Sequence, residues 1–228
     1  MILLHIETST NVCSVALSVN NQCIFSKSDH KGMNHASLLS PFIAEALDFL
    51  KNAEKKLDAV AVSSGPGSYT GLRIGVSTAK GLCYGLDIPL IAVSTLEIMV
   101  KQAKSEVENA ETALFCPMID ARRMEVYTAF YNSKGEIRKE ISAEIINENS
   151  FIEYLQNHTV YFFGNGSDKC IETLTHPNAR FIDNIFPLAE NMISLAVESF
   201  KENKFEDVAY FEPFYLKEFQ ATMPKKSI

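Results

Sequence analysis

At the start of the chain apolar residues fall in short runs separated by polar pairs. The runs Ile2–Thr8, Val12–Val19 and Gln22–Ser28 read as three strands, with Asn20-Asn21 as a hairpin turn. The period then lengthens. From Ser37 to Asn52, the residues Leu38, Leu39, Phe42, Ile43, Ala46, Leu47 and Leu50 recur at helical spacing over a wide arc, which predicts a helix buried on two sides. A strand at Leu57–Val62 follows, then the turn Gly65-Pro66-Gly67, with Ser68 as N-cap of a helix from about Tyr69 to Leu86. A short strand Pro89–Val93 and a helix from Thr95 to about Ala110 close this half.

The second half repeats the order. Strands are expected at Ala113–Ile119, Glu125–Tyr131 and Glu136–Ile146, then a short helix at Phe151–Gln156 and a strand at Val160–Phe163. A helix at Asp168–Leu174, a strand at Arg180–Ile182 and a helix at Leu188–Glu202 complete it. Gly164-Asn165-Gly166-Ser167 takes the place of Gly65-Pro66-Gly67-Ser68, and Ile119-Asp120 the place of Ile6-Glu7. Two meanders, each followed by alternating helices and strands, predict a duplicated α/β unit: a two-lobed actin-, Hsp70- or sugar-kinase-like (ribonuclease H-like) fold with a mixed sheet in each lobe. The expected lobes are residues 1–107 and 108–228, with the boundary between Lys104 and Thr112. The tail from Lys204 carries Phe205, Phe211, Phe214, Tyr215, Leu216 and Phe219, too many aromatics for a free linker, and is expected to dock at least to Phe219.

The helix after Ser68 is unusual in its composition. Leu72, Val76, Ala79 and Cys83 form its apolar stripe, and Gly71, Gly75, Thr78 and Gly85 form a second stripe of small residues beside it. Each glycine inside a helix costs about 1 kcal/mol relative to alanine, so the small stripe implies a close contact that compensates. Packing against the chain's own sheet and pairing with another subunit both satisfy that requirement.

Composition narrows the function classes. At 228 residues the chain can bury an adequate core without staples. Its five cysteines form no Cys-x-x-Cys pair and are odd in number, which argues for reduced thiols and a cytoplasmic protein; Cys13, Cys83 and Cys116 lie in apolar runs and read as core. The opening residues lack a basic region before the first carboxylate, unlike a signal peptide, and no apolar run is long enough for a membrane span. A net charge of −7 disfavours an independent nucleic-acid binder, because phosphate neutralisation needs clustered Lys and Arg.

Candidate chemistry is sparse. In the duplicated fold the hairpins joining the first two strands of each lobe face an interlobe cleft, which places Glu7 and Asp120 there, either as magnesium ligands or as caps of their own turns. Gly65, Gly67 and Ser68 before a helix, together with Arg122, could hold an anion through backbone N–H groups and a guanidinium, although the lysine of a P-loop is missing. His30 and His35 are five residues apart across Gly32, and His5, His158 and His176 stand alone, so no metal site is expected. No Gly-x-Ser-x-Gly elbow or closely spaced Cys-His pair supports nucleophilic catalysis, and no cofactor is expected.

The stretch Ser63 to Pro89, with Gly65-Pro66-Gly67-Ser68-Tyr69-Thr70-Gly71-Leu72-Arg73-Ile74-Gly75 at its centre, resembles the signature of the TsaB (YeaZ) family. Ile119-Asp120-Ala121-Arg122-Arg123-Met124-Glu125-Val126-Tyr127 and Ile6-Glu7-Thr8-Ser9 resemble its other blocks, although Glu7 stands where the family usually has aspartate. The resemblance implies a non-catalytic dimerisation subunit of the bacterial complex that makes threonylcarbamoyladenosine beside the anticodon of tRNAs. Its implied partners are the catalytic paralogue TsaD, the ATPase subunit TsaE and a second copy of itself in isolation, with tRNA met only through the complex. Thr95 and Met99 fall where the paralogue carries two metal-binding histidines, so a lost active site is implied. The implied interface comprises Leu39, Phe42, Ile43 and Ala46 on the first helix, and Gly71, Leu72, Gly75, Val76 and Thr78 on the second. The alternatives are an ATP-dependent small-molecule phosphotransferase of the same fold, with Asp120 as base, and a metallopeptidase.

Overall fold

The computed structural model describes residues 1–32, 34–108 and 111–217. The first half supplies strands β1 (Ile2–Glu7), β2 (Cys13–Val19), β3 (Gln22–Asp29), β4 (Ala59–Gly65) and β5 (Leu90–Ser94), which lie in the order β3-β2-β1-β4-β5. β1 runs antiparallel to β2, with Leu4 opposite Leu17, and parallel to β4, with Leu4 opposite Val60. The second half supplies β6 (Leu114–Asp120), β7 (Glu125–Asn132), β8 (Ile137–Ile145), β9 (Val160–Phe163) and β10 (Ala179–Ile182), in the equivalent order β8-β7-β6-β9-β10. The mixed sheet is therefore built twice. Its central strands β1, β4 and β6 are buried on both faces, which is why they read as continuous apolar runs, whereas the edge strand β3 alternates with solvent.

Helices α1 (His35–Asn52) and α2 (Tyr69–Leu86) cover the outer face of the first sheet, where Phe42, Ile43, Val76 and Ala79 meet Leu4, Ile6, Val15 and Val62. The outer face of the second sheet is covered by the short α4 (Ile152–Leu155) and by a single 3-10 turn at Asp168–Cys170. Between the sheets lie α3 (Thr95–Ser105) and α5 (Ile193–Lys201). α3 serves both: its Ile98 joins Leu3, Ile91 and Val93 of the first sheet, while Leu96, Met99 and Val100 pack on Phe115, Ala129 and Phe163 of the second. α5, from the second half of the chain, packs Ala196 and Val197 on the inner face of the first sheet. Each half thus lends a helix to a shared middle layer.

Three expected helices differ in extent. The helix from Thr95 ends at Ser105, and Ala110 lies outside the described residues. Only one 3-10 turn forms within Asp168–Leu174, because the β-branched Ile171 and Thr173 precede Pro177, which cannot continue a helix. Leu188–Glu202 opens as a 3-10 turn, Ala189–Met192, whose first N–H is taken by Ser14 Oγ at 2.7 Å.

The residues expected to form a docking surface lie largely inside their own lobe. Leu39, Phe42, Ile43, Ala46, Leu72 and Val76 are core residues of their own lobe, none more than 6% exposed. Gly71 and Gly75 are buried against the end of β1: a Cβ on Gly71 would lie 2.1 Å from the Thr8 carbonyl oxygen, and one on Gly75 2.2 Å from Thr8 Oγ1. Thr78 is half-buried, its hydroxyl donating to the Ile74 carbonyl at 2.8 Å. The inner glycines therefore serve a contact within the lobe. Gly81 and Gly85 do not, since nothing lies within 4 Å of a Cβ at either position.

These two classes of glycine respond oppositely to one methyl group. Gly75→Ala is expected to lower stability by about 2 kcal/mol through forced displacement of Thr8, and Gly81→Ala to raise it by about 1 kcal/mol by reducing helix entropy loss. Urea midpoints of the two variants check the signs; a neutral Gly75→Ala contradicts the close approach of α2 to β1.

Candidate functional site

The β1–β2 turn, the N-terminus of α2 and the β6–β7 turn converge on a cavity of about 610 Å³ between the sheets. Ser68 caps α2, its Oγ accepting the Gly71 N–H at 3.3 Å, while its own N–H donates to the Ser9 carbonyl at 2.6 Å. Thr8 Oγ1 donates to the Gly71 carbonyl at 2.8 Å, and a Cβ on Gly67 would meet the Ser9 oxygen at 2.2 Å. The second half repeats the device: Gly166 N–H donates to the Met118 carbonyl at 3.0 Å, and Asp120 N–H to Asn165 Oδ1 at 3.1 Å. Each glycine-containing turn is thus fastened to the end of its lobe's first strand.

Among the residues expected to bind an anion, Gly67, Ser68 and Arg122 do line the cavity. Gly65 does not. It lies under the C-terminal tail, where a Cβ would sit 2.6 Å from the Phe214 carbonyl oxygen. Arg122 and Arg123 occupy the β6–β7 turn with positive φ of 73° and 47°, which keeps that turn tight.

The two carboxylates expected at the cleft part company. Asp120 is half-exposed on the cavity wall, ion-paired to Lys169 and accepting the Arg122 N–H at 3.1 Å, so it caps its own turn. Glu7 is fully buried beneath the cavity, its Oε1 accepting the Ser9 N–H at 2.5 Å, and its Oε2 has no hydrogen-bond partner. Burial pushes the Glu7 carboxyl up from its ordinary 4.5 to about 7, against the Ser9 N–H hydrogen bond that favours the charged form. On the same strand, burial pulls the His5 imidazole down from 6.5 to about 3.

The histidines are dispersed. His5 Nε2 lies 2.8 Å from Ser18 Oγ, His35 Nε2 lies 2.8 Å from the Thr10 carbonyl, and the His30 ring packs edge-on against Phe186. Among the described residues no three His, Cys, Asp or Glu side chains are grouped to hold a metal ion. Thr95 and Met99 are both buried at the start of α3, and the Met99 methyl group rests against Gly164, filling the space in front of the second turn. All five cysteines are unbridged, and only Cys23 is exposed.

The tail forms a wall of the cavity that the aromatic count alone did not locate. Phe214, Tyr215, Leu216 and Lys217 line it opposite Ser9 and Arg122, and Phe219 lies outside the described residues. Among the described residues of the wall, Asp120 is paired with Lys169 and Glu125 with Lys217, and the remainder offers hydroxyls, amides and the Arg122 guanidinium. Among the described residues no helix is long and apolar enough to cross a membrane.

Comparison with known proteins adds four findings. The family model described as "TsaD: tRNA N6-adenosine threonylcarbamoyltransferase" matches residues 29–223. The tRNA threonylcarbamoyladenosine biosynthesis protein TsaB of Haemophilus influenzae is 32% identical over 94% of this chain and 93% of its own. A solved Pseudomonas aeruginosa protein described as similar to the peptidase YeaZ superposes with a TM-score of 0.80 at 29% identity, covering 95% of this chain and 99% of that one. An activator of 2-hydroxyisocaproyl-CoA dehydratase from Clostridium difficile, solved with ADPNP, shares the fold alone, with a TM-score of 0.52 at 9% identity over 90% of this chain and 97% of that one.

The buried carboxyl makes a measurable demand. Between pH 4.5 and 7 the folded chain keeps a proton on Glu7 that the unfolded chain has released, so this contribution is complete below 4.5 and is lost as pH rises through 7. His5 acts in reverse, its contribution being lost as pH falls from 6.5 toward 3, and the two slopes oppose each other where they overlap. The stability difference between Glu7→Gln and the parent isolates the carboxyl. It is expected to move in favour of glutamine by about 3 kcal/mol from about pH 4 to about pH 8, as read by urea unfolding. A flat difference means a solvated, ionised Glu7.

Proposed function

The chain belongs to the TsaB family of tRNA threonylcarbamoyladenosine biosynthesis proteins, and from that premise we propose that it acts in the pathway by docking rather than by catalysis. Its partner in this reading is the catalytic paralogue TsaD, with a second copy of the chain taking the same place in isolation. TsaE joins the assembly, and tRNA is reached through it. The acidic charge of −7 supports an indirect contact with tRNA.

The observation that carries the reading is the outer ridge of α2. Gly81 and Gly85 are exposed, a Cβ on either would enter open space, and Ile74 and Leu82 stand half-buried beside them. A helix-interior glycine costs about 1 kcal/mol against alanine. The contact with Thr8 accounts for Gly71 and Gly75 but not for this pair. A helix from another subunit, approaching backbone to backbone along the ridge, accounts for it. Ser40 and Ala44 are small exposed residues on α1. The site that would have to do chemistry supports the same reading, since Thr95 and Met99 replace imidazoles and Met99 packs its methyl group on Gly164.

Gly81→Leu combined with Gly85→Leu is expected to weaken association with the paralogue by about 30-fold or more while leaving the melting temperature near that of the parent. Co-purification measures the first effect, and nucleoside analysis of tRNA from cells carrying only the variant should show depleted threonylcarbamoyladenosine. Undiminished association in a folded variant rules out this ridge as the docking surface.

A further inference from the structure

Beyond α5 the chain turns back over the first lobe and ends its described course in the cleft. Glu206 N–H donates to the Leu90 carbonyl at 2.9 Å, pairing the tail with the edge of β5. Lys80 of α2 donates to the Ala209 carbonyl at 3.2 Å and to the Phe211 carbonyl at 2.9 Å, while Val208 and Phe211 pack on the outer core. Phe214 N–H donates to the Ser64 carbonyl at 2.7 Å, and the Tyr215 ring lies 4.9 Å from that of Tyr69 at the start of α2. The tail then changes lobes: Lys217 Nζ sits 2.6 Å from both carboxylate oxygens of Glu125, at the head of β7.

We propose that this C-terminal strap is the cleft's own intramolecular ligand, a latch that ties the first lobe to the second and keeps the cavity closed over the N-terminus of α2. Phe214 to Lys217 wall the cavity from one side while the two turns wall it from the others. The anchors are unequal, and their inequality sets where the latch opens. On the first lobe the strap is held by several backbone hydrogen bonds and by side chains packed on the core. On the second, among the described residues, it is held by one ion pair, with Lys217 47% exposed and Glu125 18% exposed, a class of contact that shifts an equilibrium only a few-fold and is weakened by salt. Release therefore occurs at Lys217–Glu125, the strap stays on the first lobe, and the second lobe gains freedom to hinge about the α3–α5 layer that joins the sheets. Among the described residues, this pair is the strap's contact with the second lobe that a molecule entering the cleft from solvent displaces.

The test is a distance distribution across the cleft by pulsed electron paramagnetic resonance. Spin labels are placed at the exposed Ser77 and Glu172 in a Cys23→Ser background, since the four other cysteines are buried. The parent at low salt should give one narrow distance. Lys217→Glu should lengthen and broaden it, as should about 1 M salt on the parent, and combining Lys217→Glu with Glu125→Lys should restore the narrow distribution. Removal of residues 214–228 should give the widest spread. An unchanged distribution in folded Lys217→Glu and in the truncated chain overturns the latch. So does failure of the charge swap to restore the narrow distance in a folded protein. Should Glu125→Lys prevent folding, the single Lys217→Glu variant and the salt series decide the matter alone.

Discussion

Where α2 crosses the end of β1, the helix backbone comes so near that Thr8 spends its hydroxyl on the Gly71 carbonyl and occupies the space a side chain on Gly75 would need. The rest of the cleft is set by that approach. It fixes the β1–β2 turn, whose Ser9 carbonyl receives the Ser68 N–H, and it aims the capped start of α2 into the space between the sheets. It also divides the small-residue stripe of α2 into an inner part used within the lobe and an outer part, Gly81 and Gly85, left for something else. Packing within the lobe thereby accounts for the glycines at the start of the helix and not for those near its end.

Much of this was legible from residue pattern. The central strands are buried on both faces, so their apolar runs stand out, and the bounds of α2 follow from the Ser68 cap and the left-handed Asp87 that ends it. The duplication is visible because glycine turns recur after apolar strands in both halves. What periodicity could not give was direction. A helix buried over a wide arc has apolar residues toward its own sheet and toward any partner, and Leu39, Phe42 and Leu72 look alike in either role; only the packed structure assigns them to the core. The same holds for Glu7, whose sequence place at a hairpin suggested exposure, whereas its side chain alternates onto the inner face and is sealed by the layer beneath. The tail's docking followed from its aromatics, but its path depended on backbone partners such as Ser64 and Leu90, which carry no sequence signal.

The cavity between the sheets is held in shape by the two glycine turns and by the groups that surround it. Both turns contain glycine and are tightly fastened, and the two carboxylates around the space are paired, Asp120 with Lys169 and Glu125 with Lys217. Buried hydroxyls of Ser9, Ser63 and Thr95 lack partners at the same level of the molecule, a polar floor under an otherwise apolar interior. Such groups are retained at a cost in stability, since each buried unpaired polar atom is unfavourable.

The crossed helices of the middle layer bear on how the molecule comes into being. The inner face of the first sheet, with Leu3, Ala61, Ile91 and Val93, is covered by α5, and α5 spans Ile193–Lys201 near the far end of the chain. During synthesis that greasy surface has been made long before its lid, and at ordinary elongation speeds the delay is on the order of 10 seconds. The nascent first half must wait, exposed, on the ribosome, and chaperone capture during that interval is a natural liability of a chain whose α5 completes its earliest sheet.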